Sequence, residues 1–185
     1  MDYKKSKKVK KITLAKEVVL PQGVSATWAN NTLTLKSGAV ELKRQFIAPA
    51  VLIKIETGKI VLSCAAKKRF KTVMCAFTAH VKNMVKGVQN PFVYKLKICS
   101  SHFPMNVAVD KDELVVKNYL GEKFPRRIKL KKGVKIQVKG DEIVVESSDI
   151  ELAGSLASDI EHKIGIHDKD RRIYQDGIYI TVKPE

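Results

Sequence analysis

The sequence predicts an α+β protein of two tandem domains of the same fold, each a small antiparallel sheet with one helix packed on it. Three observations carry that prediction. Apolar and polar residues alternate in short runs that end at Asn or Gly turns, as half-buried strands require. Once in each half of the chain the alternation gives way to helical spacing. The whole series, strands and then helix, recurs at a nearly constant offset.

In the first half, Val24, Ala26 and Trp28 share one face of a strand, Asn30-Asn31 supplies a turn, and Leu33 and Leu35 follow on the return strand. A second hairpin places Val51, Ile53 and Ile55 before a turn at Thr57-Gly58, with Ile60 and Leu62 after it. Val73, Phe77, Val81 and Met84 then recur at helical spacing, with Gly87 placed to end the helix. Residues 24–36 lie over 105–117 at an ungapped offset of 81, and 51–81 over 134–164 at an offset of 83. On the helices, Val73, Phe77 and Val81 meet Leu156, Ile160 and Ile164. A rival register sets 20–37 over 130–147, because hairpins resemble one another; the first is preferred because it keeps two hairpins and a helix in one order.

Each unit therefore reads as four or five short strands and one helix. Ser148-Asp149-Ile150-Glu151 fits a capping box that opens the second helix. A last strand at 179–182 returns to the second sheet. The predicted organisation is a basic arm over 1–11, a first domain over 12–89 and a second over 90–185, with Gly87, Asn90 and Pro91 marking the boundary.

Charge is distributed unevenly. Residues 1–139 hold 30 Lys/Arg and 8 Asp/Glu, whereas 140–185 hold 5 and 11, for a formal net charge of +16. Such repulsion destabilises a compact state and is relieved by a polyanionic partner, with nucleic acid the first candidate and an anionic membrane surface the second. No apolar run approaches the roughly 20 residues that span a bilayer. Cys64, Cys75 and Cys99 are odd in number without a close pair, which points to thiols in a reducing, cytoplasmic setting.

The densest candidate surface runs from Lys123 to Lys139, with eight basic residues and no acidic one. Arg126 and Arg127 offer planar forks that match phosphate oxygens, and Lys129, Lys131, Lys132 and Lys135 act as point charges. Replacing both arginines by alanine is expected to weaken RNA binding with little loss of fold stability. The cluster Lys67-Lys68-Arg69 precedes the first helix, where the helix dipole favours acid, and so points to an external anion. Six lysines within residues 2–11 form a further basic arm. Aromatic residues amount to 6% and mostly occupy alternating core positions, which favours folded, phosphate-rich RNA or duplex over stacking of single strands.

Catalytic chemistry finds no support. His80, His102, His162 and His167 are scattered without metal-ligand spacing. There is no phosphate-cradling glycine loop and no nucleophile elbow. Asp168, Asp170 and Asp176 are interleaved with Lys169, Arg171 and Arg172 and read as a self-neutralised loop with spare cations. No cofactor, small-molecule substrate or membrane contact is expected.

Four segments resemble one large-subunit ribosomal protein family, numbered six in bacteria and nine in eukaryotes. They are Ala79-His-Val-Lys-Asn-Met-Val-Lys-Gly-Val88, Ser101-His-Phe-Pro-Met-Asn-Val107, Asn118-Tyr-Leu-Gly-Glu-Lys-Phe-Pro-Arg-Arg127 and Arg171-Arg-Ile-Tyr-Gln-Asp-Gly-Ile-Tyr179. The His-Phe-Pro and Gln-Asp-Gly-Ile-Tyr forms are similar to the archaeal and eukaryotic branch. The resemblance implies a non-enzymatic constituent of the large ribosomal subunit, bound to its RNA near the factor-binding region and stalk base. It implies neighbouring large-subunit proteins as further partners and no homo-oligomer. It also assigns much of the RNA contact to the second domain, hence to Lys123, Arg126, Arg127 and the loop 168–176 with Lys169, Arg171 and Arg172. The alternative is a free-standing basic RNA- or DNA-binding or RNA-chaperone module.

Overall fold

The computed structural model describes residues 13–38, 40–56, 58–166, 169–170 and 172–184; the basic arm, His167, Asp168 and Arg171 lie outside the described residues. The chain divides after Val88 into two compact units.

Unit 1 contains β1 (Thr13–Val19), β2 (Ser25–Ala29), β3 (Thr32–Ser37), β4 (Val40–Gln45), β5 (Val51–Glu56), β6 (Lys59–Ala65) and α1 (Lys68–Gln89). They form two antiparallel sheets, β2-β3-β4 and β1-β6-β5. The β2–β3 turn is tight because Asn30 and Asn31 both take positive φ, 48° and 59°, the geometry that matches strand twist. Leu33 and Leu35 of β3 and Ile60 and Leu62 of β6 are fully buried and meet Met74 and Val81 of α1 in one core.

The buried stripe of α1 is Met74, Thr78, Val81, Val85 and Val88, with Val73 and Phe77 half-buried beside it. Thr78 fits this stripe because its hydroxyl donates to the Met74 carbonyl at 2.7 Å. Gly87 does not end the helix. It lies buried inside α1, which stops at Gln89, where Pro91 disfavours a helical Asn90.

Unit 2 contains β7 (Phe92–Cys99), β8 (Asn106–Asp110), β9 (Glu113–Lys117), a 3-10 turn Tyr119–Gly121, β10 (Arg126–Lys129), β11 (Lys135–Lys139), β12 (Glu142–Ser147), α2 (Ile150–Lys163) and β13 (Gly177–Val182). Its sheets are β10-β9-β8 and β11-β12-β7-β13. Leu96, Leu114, Ile143, Leu156 and Ile160 are fully buried in its core.

The offset of 81 lays β2 onto β8 end to end, and the offset of 83 brings the first residue of β6 onto the first of β12. Each unit thus repeats strand, three-strand meander, hairpin and helix, a duplicated α+β fold. Among the described residues the strand count exceeds the expected four or five, with six in unit 1 and seven in unit 2. The strands not read from the sequence are β1, β4, β7 and β10. The rival register has a local cause: Gly23 and Gly133, at φ 85° and 86°, open turns of the same shape before β2 and β11.

The repeats diverge at one connection. Two residues, 38–39, join β3 to β4, whereas eight, 118–125, join β9 to β10. Unit 2 also continues past its helix into β13, which returns to the second sheet as expected, starting at Gly177 and pairing there with β7.

Candidate nucleic-acid interface

Three segments singled out in the sequence meet at one end of unit 2. The carboxylate of Asp176, 1% exposed, accepts hydrogen bonds from the backbone N–H groups of Ser101 at 2.5 Å and His102 at 3.1 Å, and lies 2.7 Å from His102 Nδ1. Asn118 donates its side-chain amide to the Pro104 carbonyl at 3.1 Å, and the Tyr119 hydroxyl reaches the Asp176 carbonyl at 3.5 Å. The His102 ring lies 4.8 Å from that of Tyr174. Burial works to raise the Asp176 pKa, yet the His102 side chain and the two N–H donors outweigh it and hold the carboxyl below its ordinary value.

One glycine is required by backbone geometry here: Gly121, at φ 77°, where a side chain would be strained, with the Phe103 ring 3.7 Å from its Cβ position.

Arg126 is drawn into the fold. Its Nε and Nη2 donate to the two carboxylate oxygens of Glu122 at 2.9 and 2.5 Å. Nη1 donates to the carbonyls of Lys163 at 2.8 Å and Gly165 at 3.4 Å, at the carboxyl end of α2 where helix carbonyls lack partners. The guanidinium stacks 4.2 Å from the Tyr119 ring centroid. The hydrogen bonds from Arg126 hold the Glu122 pKa down, and the same contacts hold that of Arg126 up. Burial raises the Tyr119 hydroxyl pKa. The expectation that Arg126 can be removed with little loss of stability is therefore corrected: this side chain ties β10 to the end of α2.

The neighbouring cations face outward by strand alternation. Ile128 of β10 is buried, while Arg127 and Lys129 on the opposite face are exposed. The Arg127 side chain is 63% exposed, with Glu113 Oε2 at 3.5 Å. Lys129, Lys131 and Lys132, with Lys111, contribute to an open groove of about 390 Å³ that Asp112 and Glu113 also line. Within it Lys131 is tied back to α2 by Ser155 and by Asp159 at 2.9 Å, whereas Lys132 is exposed. Lys123 is exposed on the 118–125 connection.

The remaining predicted residues lie elsewhere. The Lys169 ammonium sits 4.7 Å over the Tyr174 ring, and exposed Arg172 turns on the Asp170 carboxylate through its backbone N–H at 2.9 Å. Lys67, Lys68 and Arg69 are exposed at the start of α1, whose first turn holds no acidic residue.

Two features escaped the sequence reading. Phe124 is 85% exposed between Lys123 and Pro125, and Phe103 is 47% exposed, so not every ring serves the core. The His102–Asp176 pair joins residues 74 apart, a separation that no local pattern reports. Among the described residues no group of three or more His, Cys, Asp or Glu could hold a metal, and no helix is long and apolar enough to cross a membrane.

The chain is thus a duplicated α+β scaffold, closed by its own polar contacts, that displays outward cations on one strand and its flanking turns. Residues 103–177 match the family model for ribosomal protein L6. The chain is 38% identical over 171 residues to large ribosomal subunit protein uL6 of Methanococcus vannielii, covering 92% of this chain and 94% of that protein. It is 40% identical over 173 residues to the uL6 of Aeropyrum pernix, covering 92% and 95%, and 42% identical over 176 residues to that of Nanoarchaeum equitans, covering 90% and 92%. The chain belongs to the uL6 family of ribosomal proteins, the family numbered L6 in bacteria and L9 in eukaryotes.

Proposed function

We propose that this chain is a structural constituent of the large ribosomal subunit in the cytoplasm, binding large-subunit ribosomal RNA and abutting neighbouring subunit proteins. The observation that carries the reading is its family membership, with relatives named large ribosomal subunit proteins matched along more than nine-tenths of their length. The role is architectural rather than enzymatic. Cations on a rigid strand and its adjoining turns bind phosphates at fixed spacing and so hold RNA segments in place.

Lys123, Arg127, Lys129 and Lys132 are the main phosphate contacts in this reading, and Arg126 and Lys131 shape the surface that presents them. Lys67, Lys68 and Arg69 of unit 1 form a second contact. Lys169, Arg172 and Arg171 of the 168–176 loop add to the first. The subunit site is the factor-binding region near the stalk base, as the family resemblance implies.

A tagged copy of the full chain is expected to sediment with large subunits through a moderate-salt gradient. Recovery only in the top fractions rejects the reading in favour of a free-standing module. With isolated ribosomal RNA, replacing Lys123, Arg127, Lys129 and Lys132 together by alanine should lower the log–log salt slope by roughly 3 to 4. An unchanged slope rejects these four as phosphate contacts.

A further inference from the structure

Phe124 occupies an unusual place. An aromatic residue left 85% exposed gives up the apolar burial that would stabilise the fold. The ring is not on a slack loop. It sits midway between Glu122 and Arg126, and the bidentate pair between those two closes the loop beneath it. Arg126 is in turn fixed to the end of α2 and to the Tyr119 ring. Pro125 fixes its own φ and keeps Phe124 out of the helical region. Gly121, at φ 77°, turns the chain into this loop against Phe103.

The surroundings of the ring are cationic. Lys123 precedes it, and the exposed face of β10 that follows carries Arg127 and Lys129. The one carboxylate in the loop, Glu122, is occupied by Arg126. A ring held outward among cations matches the arrangement by which proteins stack unpaired bases and bind the adjoining phosphates. The duplication sharpens the point, because unit 1 joins the equivalent strands with two residues and has no such loop.

We propose that Phe124 is a base-stacking residue, on which one unpaired base of the bound RNA lies while Lys123 and Arg127 hold the phosphates beside it. The proposal rests on the RNA-binding reading above and adds a particular contact to it. An apolar pocket of a neighbouring protein is the competing occupant; the row of cations on both sides of the ring favours RNA.

The test uses the full chain and deproteinised large-subunit ribosomal RNA. The sequence has one tryptophan, Trp28 in unit 1, so Trp28→Phe combined with Phe124→Trp leaves a single indole at position 124. Stacking predicts that RNA quenches its emission and shields it from acrylamide. Phe124→Ala in the otherwise unaltered chain should weaken binding by roughly 5- to 150-fold. Its melting temperature and salt slope should not change, because stacking releases no counterions. That variant also keeps the test open should the tryptophan pair not fold.

Tight RNA binding with an accessible, unquenched indole overturns the stacking proposal and leaves the ribosomal reading intact. So does a Phe124→Ala chain that binds like the parent. Shielding that appears only in whole subunits, and not with RNA, assigns the ring to a protein neighbour and also overturns it. A chain that binds no ribosomal RNA at all overturns both.

Discussion

The helices of the two units hold the same place in the repeat and open on opposite chemistry. α2 opens on Asp149, whose carboxylate accepts from the Glu151 N–H at 2.9 Å, with Glu151 adding a second negative charge in the first turn. α1 opens on Lys67, Lys68 and Arg69 with no acidic residue in its first turn. At the other end, the last carbonyl of α2, that of Lys163, receives Arg126, whereas α1 has Lys86 in its last turn and stops before Pro91. The scaffold tolerates either arrangement because apolar burial, not the helix ends, supplies most of the stability of a packed helix. In α2 the end charges are met within the chain. In α1 cations sit against the positive end of the dipole, which costs stability in the isolated chain.

The largest expected effect that tests this contrast is Arg126→Ala. It removes the bonds to the Lys163 carbonyl at the end of α2 and the Gly165 carbonyl just beyond it, the Glu122 pair and the Tyr119 stack. Unit 2 should lose about 2–3 kcal/mol, mostly from the carbonyls and the ring, because the partly exposed ion pair contributes less. Denaturant unfolding should show the unit 2 transition shifted and the unit 1 transition unmoved. A variant as stable as the parent would return Arg126 to the list of simple RNA contacts.

Asp176→Asn should cost about 1–3 kcal/mol, since the amide keeps one acceptor oxygen but loses the charge that three donors address. The pH dependence has a definite sign. A carboxyl whose folded pKa is depressed contributes its stability in full above the unfolded value of about 3.9, and loses it as pH falls through the lower folded pKa. The gap between parent and variant should therefore close on acidification below about pH 4. A gap that stays constant into that range would remove the charge from the account of this loop.

Asp149→Ala should cost about 1 kcal/mol by opening the first turn of α2. The smallest effect has the opposite sign. Lys68→Glu should stabilise unit 1 by about 0.3–1 kcal/mol while weakening RNA binding. Stabilisation without any loss of binding would mean that the cations at α1 do not serve RNA.

Legibility in the sequence followed the range of the interaction. The β2–β3 and β5–β6 hairpins and both helices were readable because alternation and helical spacing are local records of burial. The capping residue of α2 was misplaced by one: the box read from Ser148, but Asp149 is the N-cap, since the Ser147 hydroxyl takes the Asp149 N–H at 3.2 Å and sets the chain entry there. The β9–β10 connection was legible as a basic segment and not as a clamp. Arg126 and Arg127 are adjacent and chemically identical, yet one faces the end of α2 and the other faces solvent. Strand alternation assigns them opposite faces, but only the docked helix makes one of those faces an interior.

The sequence by itself determined the duplicated α+β pattern, the excess of cations and the family, because all three are written in spacing, composition and short motifs. Tertiary structure alone decided which cations are held within the fold and that His102 meets Asp176. It alone decided that Phe124 stands outward on a loop closed by its own ion pair. Those outcomes depend on contacts between residues far apart in the chain, whose partners exist only once helix, turn and sheet have packed together.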